Sequence, residues 1–242
     1  MLAFFIEQGF SMTWLGRFKD SNIGLKVAMA LSGVVLLGFV FIHMLGNLQI
    51  FIGQEALDHY GAMLQGNKEV LWGARIVLLS AVVIHIYTAV KLTMRNKAAR
   101  PVAYKVKKSV SETYAARTMR YGGFIILAFI IFHILHLTKG TVGQPSFQHC
   151  DYLGDEFTCY VYNNVIEGFA DIRIVIFYLV AQVALAFHLA HGVASLFRTL
   201  GMNNPRFEPI VSKLAIGFAT VVAVGNCAIP LAVASGLLTG GN

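Results

Sequence analysis

The sequence predicts an all-α membrane protein of five transmembrane helices, and three observations predict it. Only 13% of its 242 residues are charged, against about 25% in an ordinary soluble domain. Hydrophobic residues make up 57% of the chain, and the mean hydropathy is +0.66. The apolar residues fall into five runs of the length a bilayer core requires, about 20 residues per helix. This composition excludes a soluble enzyme, a disordered region and a small disulfide scaffold. Three cysteines without a Cys-x-x-Cys pair exclude a cysteine-based zinc site and covalent haem attachment.

The first 16 residues are apolar and aromatic. They lack the basic start and small-residue cleavage site of a signal peptide, so 1–23 reads as an interfacial, cytoplasmic segment. Residues 24–242 read as one transmembrane domain. Span one is Val27–Phe51, without a charge. Span two is Val70–Val90, whose one charge, Arg75, lies near its start and can snorkel to the interface. Span three is Tyr121–Thr138, reaching back towards Arg117, and span four is Ile174–Phe197. Span five begins at Leu214, after which the chain carries no charge. The connection from Lys139 to Arg173 is the longest on its side and holds Cys150 and Cys159, which are able to form a disulfide there. Cys227 reads as an apolar filler of span five.

Five spans put the termini on opposite sides, and the basic residues choose between them. Fifteen of the 19 lie in the N-terminal segment, the Lys91–Arg120 connection and the connection after span four. That side carries +11 and the other −4. The expected N-terminus is cytoplasmic and the C-terminus outside. The net +7 is thus a topology signal, and no nucleic-acid partner is expected.

Eight histidines are many for such a chain; five lie well inside spans, His43, His85, His133, His188 and His191, and His136 sits near the outer end of span three. An ionisable group at membrane depth is a functional hypothesis by default; the bland alternative is a neutral imidazole hydrogen-bonded to a neighbouring helix. Alternate spans run in opposite directions, which places His43 and His133 in the outer half and His85 and His188 in the inner half. His85 is six residues before Lys91, about 9 Å along a helix. Two same-depth pairs on different helices suit two bis-histidine b haems, each taking one imidazole on either face. Zinc suits them less, because a structural zinc takes four ligands and each level supplies two. Ser32-Gly33 precede His43 by ten residues, as Gly122-Gly123 precede His133. These small residues lie near the inner level, where they serve either close approach of a flat macrocycle or ordinary helix packing. Gly192, four after His188, has the same two readings.

Four segments carry a resemblance: HMLGNLQIF (His43–Phe51), ARPVAYKVKKSVSETYAARTMR (Ala99–Arg120), FHILHLTKGTV (Phe132–Val142) and FHLAHGVASLFRTLG (Phe187–Gly201). In order and spacing they resemble the dihaem cytochrome b membrane-anchor subunit of bacterial succinate dehydrogenase/fumarate reductase (succinate:quinone oxidoreductase), in its single-subunit five-helix form. The resemblance runs from about Ser21 to Leu237. It implies that the first four helices form a haem-binding bundle with His43, His85, His133 and His188 as iron ligands. It pairs His43 with His133 at the distal haem and His85 with His188 at the proximal haem. His136 and His191, each three residues after a ligand, are then polar neighbours of a haem or quinone, or packing histidines.

The same resemblance implies partners and cofactors: a flavoprotein with FAD, an iron–sulfur subunit, and menaquinone or ubiquinone as substrate, in the cytoplasmic membrane of a bacterium. Dicarboxylate chemistry would belong to the flavoprotein, so this chain supplies no catalytic residue for it. Two clusters are quinone candidates. One is Glu55, Asp58, His59 and His136; the other is Arg17, Ser21, Lys26 and Ser32. Glu55 and Asp58 also read as solvated loop acids. The alternatives are the dihaem cytochrome b of a formate dehydrogenase or hydrogenase, and a haem-free proton-coupled transporter. Transporters favour broken spans, whereas proline is absent from the first four spans here.

Overall fold

The structure is a computed structural model that describes residues 16, 18, 20–99, 114–202 and 204–240. Arg17 and the middle of the basic connection, 100–113, lie outside the described residues. The fold is all-α apart from one short hairpin, and five helices are long and apolar enough to cross a membrane. They are α1 (Asn22–Asn47), α3 (Lys68–Ala98), α4 (Tyr114–His133), α6 (Ile172–Thr199) and α7 (Glu208–Ala234). A 3-10 turn, Leu48–Phe51, prolongs α1. A π-helical turn, Ile134–Thr138, prolongs α4. The protein is therefore a multi-pass membrane protein with the expected number of spans.

The first four spans are longer than their uncharged runs. α3 starts at Lys68 and ends beyond Arg95 and Lys97. Charges do not end a helix, because its hydrogen bonds are all internal, and long basic side chains reach out of the apolar layer. Two connecting helices lie where loops were expected, α2 (Gln54–Gly66) and α5 (Val161–Gly168). Cys150 and Cys159, whose pairing the sequence left open, are bonded. They flank the antiparallel strands β1 (Asp151–Leu153) and β2 (Glu156–Thr158).

The chain forms two compact units. The first takes in Met1–Leu36 and Leu78–Lys107. In it, Ser21 caps α1 by accepting from the Gly24 N–H at 2.9 Å, the ordinary reach of a serine N-cap. The last turns of α3 hold the start of α1. Lys91 Nζ meets Asp20 Oδ1 at 3.1 Å, and Arg95 Nη1 donates to the Asp20 carbonyl at 2.7 Å and to Asn22 Oδ1 at 3.0 Å. Thr88, buried on α3, returns its hydroxyl proton to the Ile84 carbonyl.

The second unit takes in Leu37–Val77 and Lys108–Asn242. α6 packs on α4 and α7. The α6–α7 seam buries Val193, Ala194, Val211, Ala215, Ala219 and Val222. Small residues let helices approach where lipid removes the hydrophobic drive for helix association. Asn226 donates to Gln182 Oε1 across that seam at 3.0 Å, so neither amide is left bare in hydrocarbon. Met44 packs against the bare α-carbon of Gly225. A second core joins the connecting helices to the spans through Ile50, Leu57, Tyr162, Val165, Phe169 and Val175.

Candidate functional site

In the first unit, His85 projects from α3 towards the small pair on α1. Ser32 Oγ lies 3.3 Å from His85 Nδ1, while also donating to the Ala28 carbonyl at 2.8 Å. A methyl group on Gly33 would sit 3.5 Å from His85 Cε1, an ordinary contact. The ten-residue offset from His43 does therefore bring Ser32 and Gly33 beside His85. Among the small residues singled out on other spans, Gly123 and Gly192 face open space, and Gly122 has only the Ala184 carbonyl nearby.

In the second unit, His43 and His133 meet. Their ring centroids are 5.8 Å apart and their planes perpendicular. Two metal–imidazole bonds of about 2.0 Å each, plus about 1.1 Å from each nitrogen to its ring centre, span about 6.2 Å. The observed separation is somewhat shorter than that span. Phe39 stacks on His43 at 5.2 Å, and among the described residues no hydrogen bond holds the His43 ring. No group of three or more metal-binding side chains occurs among the described residues.

His133 sits at the start of the π-helical turn, where the Lys139 N–H donates to the Ile134 carbonyl five residues back at 2.9 Å. Such turns recur at functional sites. Here His133 and His136 converge on a single hydroxyl. Tyr178 Oη on α6 lies 3.2 Å from His133 Nδ1 and 2.8 Å from His136 Nδ1. His136 Nε2 in turn meets the Gln144 carboxamide at 3.2 Å. Tyr178, His136 and Gln144 are all buried. Phe129 and Phe132 on α4 and Phe169 after α5 pack edge-on against the Tyr178 ring. Tyr178 and Gln144 were not expected from the sequence; the only signal was the polar pair Tyr178 and Gln182, one helical turn apart in an otherwise apolar run.

The other sequence candidates are dispersed. His191 Nε2 meets Ser195 Oγ one turn along its own helix at 3.0 Å, a local solution to a buried imidazole. His188 is half-buried on α6. Asp58 accepts the Tyr162 N–H at 2.8 Å, so it caps α5 from a different helix. Glu55 and His59 are exposed on α2 and line a shallow pocket with Ile52, Gly53, Gln54 and Ala56. His136 is fully enclosed by its partners. In the first unit, Lys26 is exposed and Ser21 is spent on the α1 cap. Outside the spans, the Arg173 guanidinium beside Asp171 holds its carboxyl below the ordinary carboxylate range. Asp171 also caps α6 by accepting the Arg173 N–H at 2.9 Å.

No protein-family model, curated protein or solved structure matches the chain.

Proposed function

We propose that this chain is the membrane-anchor and electron-transfer subunit of a succinate dehydrogenase/fumarate reductase, working between an iron–sulfur partner and a membrane quinone. The observation that carries the reading is the approach of His43 and His133 to 5.8 Å inside an apolar span. His43 and His133 would hold the distal b haem, and His85 and His188 the proximal one. Each haem, held by two neutral imidazoles, supplies a one-electron carrier. The chain's own part is to fix those imidazoles and keep water from them. Tyr178 orients His133 by its hydroxyl, and Ser32 does the same for His85. Gly33 keeps the α1 surface low beside His85.

The N-terminus is proposed to face the cytoplasm of a bacterium, on the strength of the basic asymmetry. The bonded Cys150 and Cys159 agree with a non-cytoplasmic location for the connection after span three, since disulfides persist in oxidising compartments. Lys91–Arg120 would then face the flavoprotein and iron–sulfur subunits. For the quinone, Glu55 and His59 are the accessible candidates on the outer side, whereas Asp58 and His136 are engaged in holding structure. Arg17 and Ser32 are the inner candidates.

The test is purification of the chain from membranes of its native host. A reduced-minus-oxidised optical spectrum with b-type bands, reducible by succinate, is expected, with a flavoprotein and an iron–sulfur subunit in the same preparation. A preparation lacking b-type bands overturns the reading. One with b haems but with formate dehydrogenase or hydrogenase activity reassigns the partner enzyme.

A further inference from the structure

We propose that Tyr178, anchored by His136 and Gln144, is a positioning residue that sets the tautomer of His133 and so decides which ring nitrogen His133 offers to a metal. The inference rests on the reading of His133 as a haem ligand. A tyrosine hydroxyl has one proton to give, yet Tyr178 Oη lies within hydrogen-bond distance of two imidazole nitrogens, His133 Nδ1 and His136 Nδ1. It donates to one and must accept from the other. Tyr178, His136 and Gln144 are buried and His133 is half-buried, where an unmade hydrogen bond costs about 1–3 kcal/mol.

Only two ordered chains satisfy the four groups. In the first, the Gln144 amide NH₂ donates to His136 Nε2, His136 Nδ1–H donates to Tyr178, and Tyr178 donates to His133 Nδ1. The His133 proton then sits on Nε2, and that nitrogen has no lone pair for a metal. In the second, the Gln144 oxygen accepts from His136 Nε2–H, His136 Nδ1 accepts from the Tyr178 hydroxyl, and Tyr178 accepts from His133 Nδ1–H. His133 Nε2 is then bare and able to bind iron. A half-turn of the Gln144 carboxamide interchanges the two chains. That half-turn breaks no other bond, because the far end of the carboxamide is buried without a partner. His136 also packs against Gly168, where a methyl group would lie only 3.0 Å from Cε1 and Nε2 of the ring. The side of His136 that faces Gln144 is thus held from two directions.

Iron on His133 Nε2 selects the second chain. Its consequence is electronic as well as geometric: a ligand imidazole that donates its other N–H is a stronger base and stabilises the oxidised metal. Tyr178 therefore lowers the potential of the haem that His133 holds.

The test is an optical redox titration of both haems in the purified complex, with wild-type, Tyr178→Phe and Gln144→Leu chains. The haem of interest is the one that His133→Ala removes. In Tyr178→Phe both haems are retained, and the reduction equilibrium of that haem moves towards the reduced form roughly tenfold, about 59 mV for one electron. Gln144→Leu moves the same haem in the same direction by less, and the other haem keeps its potential in both variants. Unchanged potentials in both variants, or a shift confined to the other haem, overturn the inference while leaving the haem reading intact. If Tyr178→Phe fails to assemble, Gln144→Leu decides alone, since Gln144 lies beyond the span. A wild-type complex without haem overturns both readings together.

Discussion

On the side of His85 that faces α1 the protein offers small groups, the Ser32 hydroxyl and the bare α-carbon of Gly33, and the buried Thr88 lies one turn along α3. Around His133 it offers rings, with Phe129, His43 and Tyr178 each within 6 Å centroid to centroid. Both histidines sit in long apolar helices, so composition alone does not distinguish them. The contrast lies in how each is fixed. On the side that faces α1, His85 meets the Ser32 hydroxyl and the room left over Gly33, whereas His133 meets a chain of hydrogen bonds that ends at Gln144. Steric control fails when a side chain grows; hydrogen-bond control fails when one polar atom is removed. The two histidines should therefore respond to different kinds of substitution.

The largest effects come from the imidazoles themselves. His43→Ala and His133→Ala should each abolish one and the same haem, and His85→Ala and His188→Ala the other, read from the optical spectrum of each variant. Loss of different haems from His43→Ala and His133→Ala breaks the pairing. Next comes the steric arm of the comparison. Gly33→Ala places its methyl at an ordinary contact distance from His85 and should be tolerated. Gly33→Leu must push the imidazole aside at about 1–3 kcal/mol, and should weaken retention of the haem that His85→Ala removes. An unchanged haem content in Gly33→Leu would show that the space beside His85 is not limiting.

Smaller effects mark residues that hold structure alone. Asp58→Ala removes the cap on α5 and should cost about 1 kcal/mol in thermal stability, with both haem spectra unchanged. Asp58→Asn keeps an acceptor and should recover most of the loss. The weakest effect is the pH dependence of the Asp171 cap. Because Arg173 lowers the Asp171 carboxyl, the contribution is fully present above the ordinary aspartate range. It fades as pH falls through the lowered value. Asp171→Asn should lower the neutral plateau of a thermal-stability profile slightly and flatten that part of its acid limb.

The spans were legible because lipid imposes one strong rule, a charge-free run of fixed length, and Val27–Phe51 or Ile174–Phe197 obey it visibly. Their ends were less legible. Lys68, Glu69, Arg95 and Lys97 extend α3 although they are charged, since helix propagation is indifferent to side chains that reach water. α2 and α5 were hidden by brevity. In α2 the apolar face that buries Leu57 and Gly61 is only one turn long, and α5 has eight residues. At the site, the matched depth of histidines on spans one and three was enough to anticipate the approach of His43 to His133. It also placed Ser32 and Gly33 near His85. The π-helical turn after His133 was not legible, because no proline or glycine announces it between Ile134 and Thr138. That turn is associated with His133 and His136 meeting one tyrosine, a relation that spacing on a regular helix did not suggest.

The most direct measurement is the haem-to-protein ratio of the purified chain, taken beside that of His43→Ala and His133→Ala. Two haems per wild-type chain and one in each variant are expected. A wild-type chain without haem, or variants that keep both, would contradict the pairing of His43 with His133 around an iron.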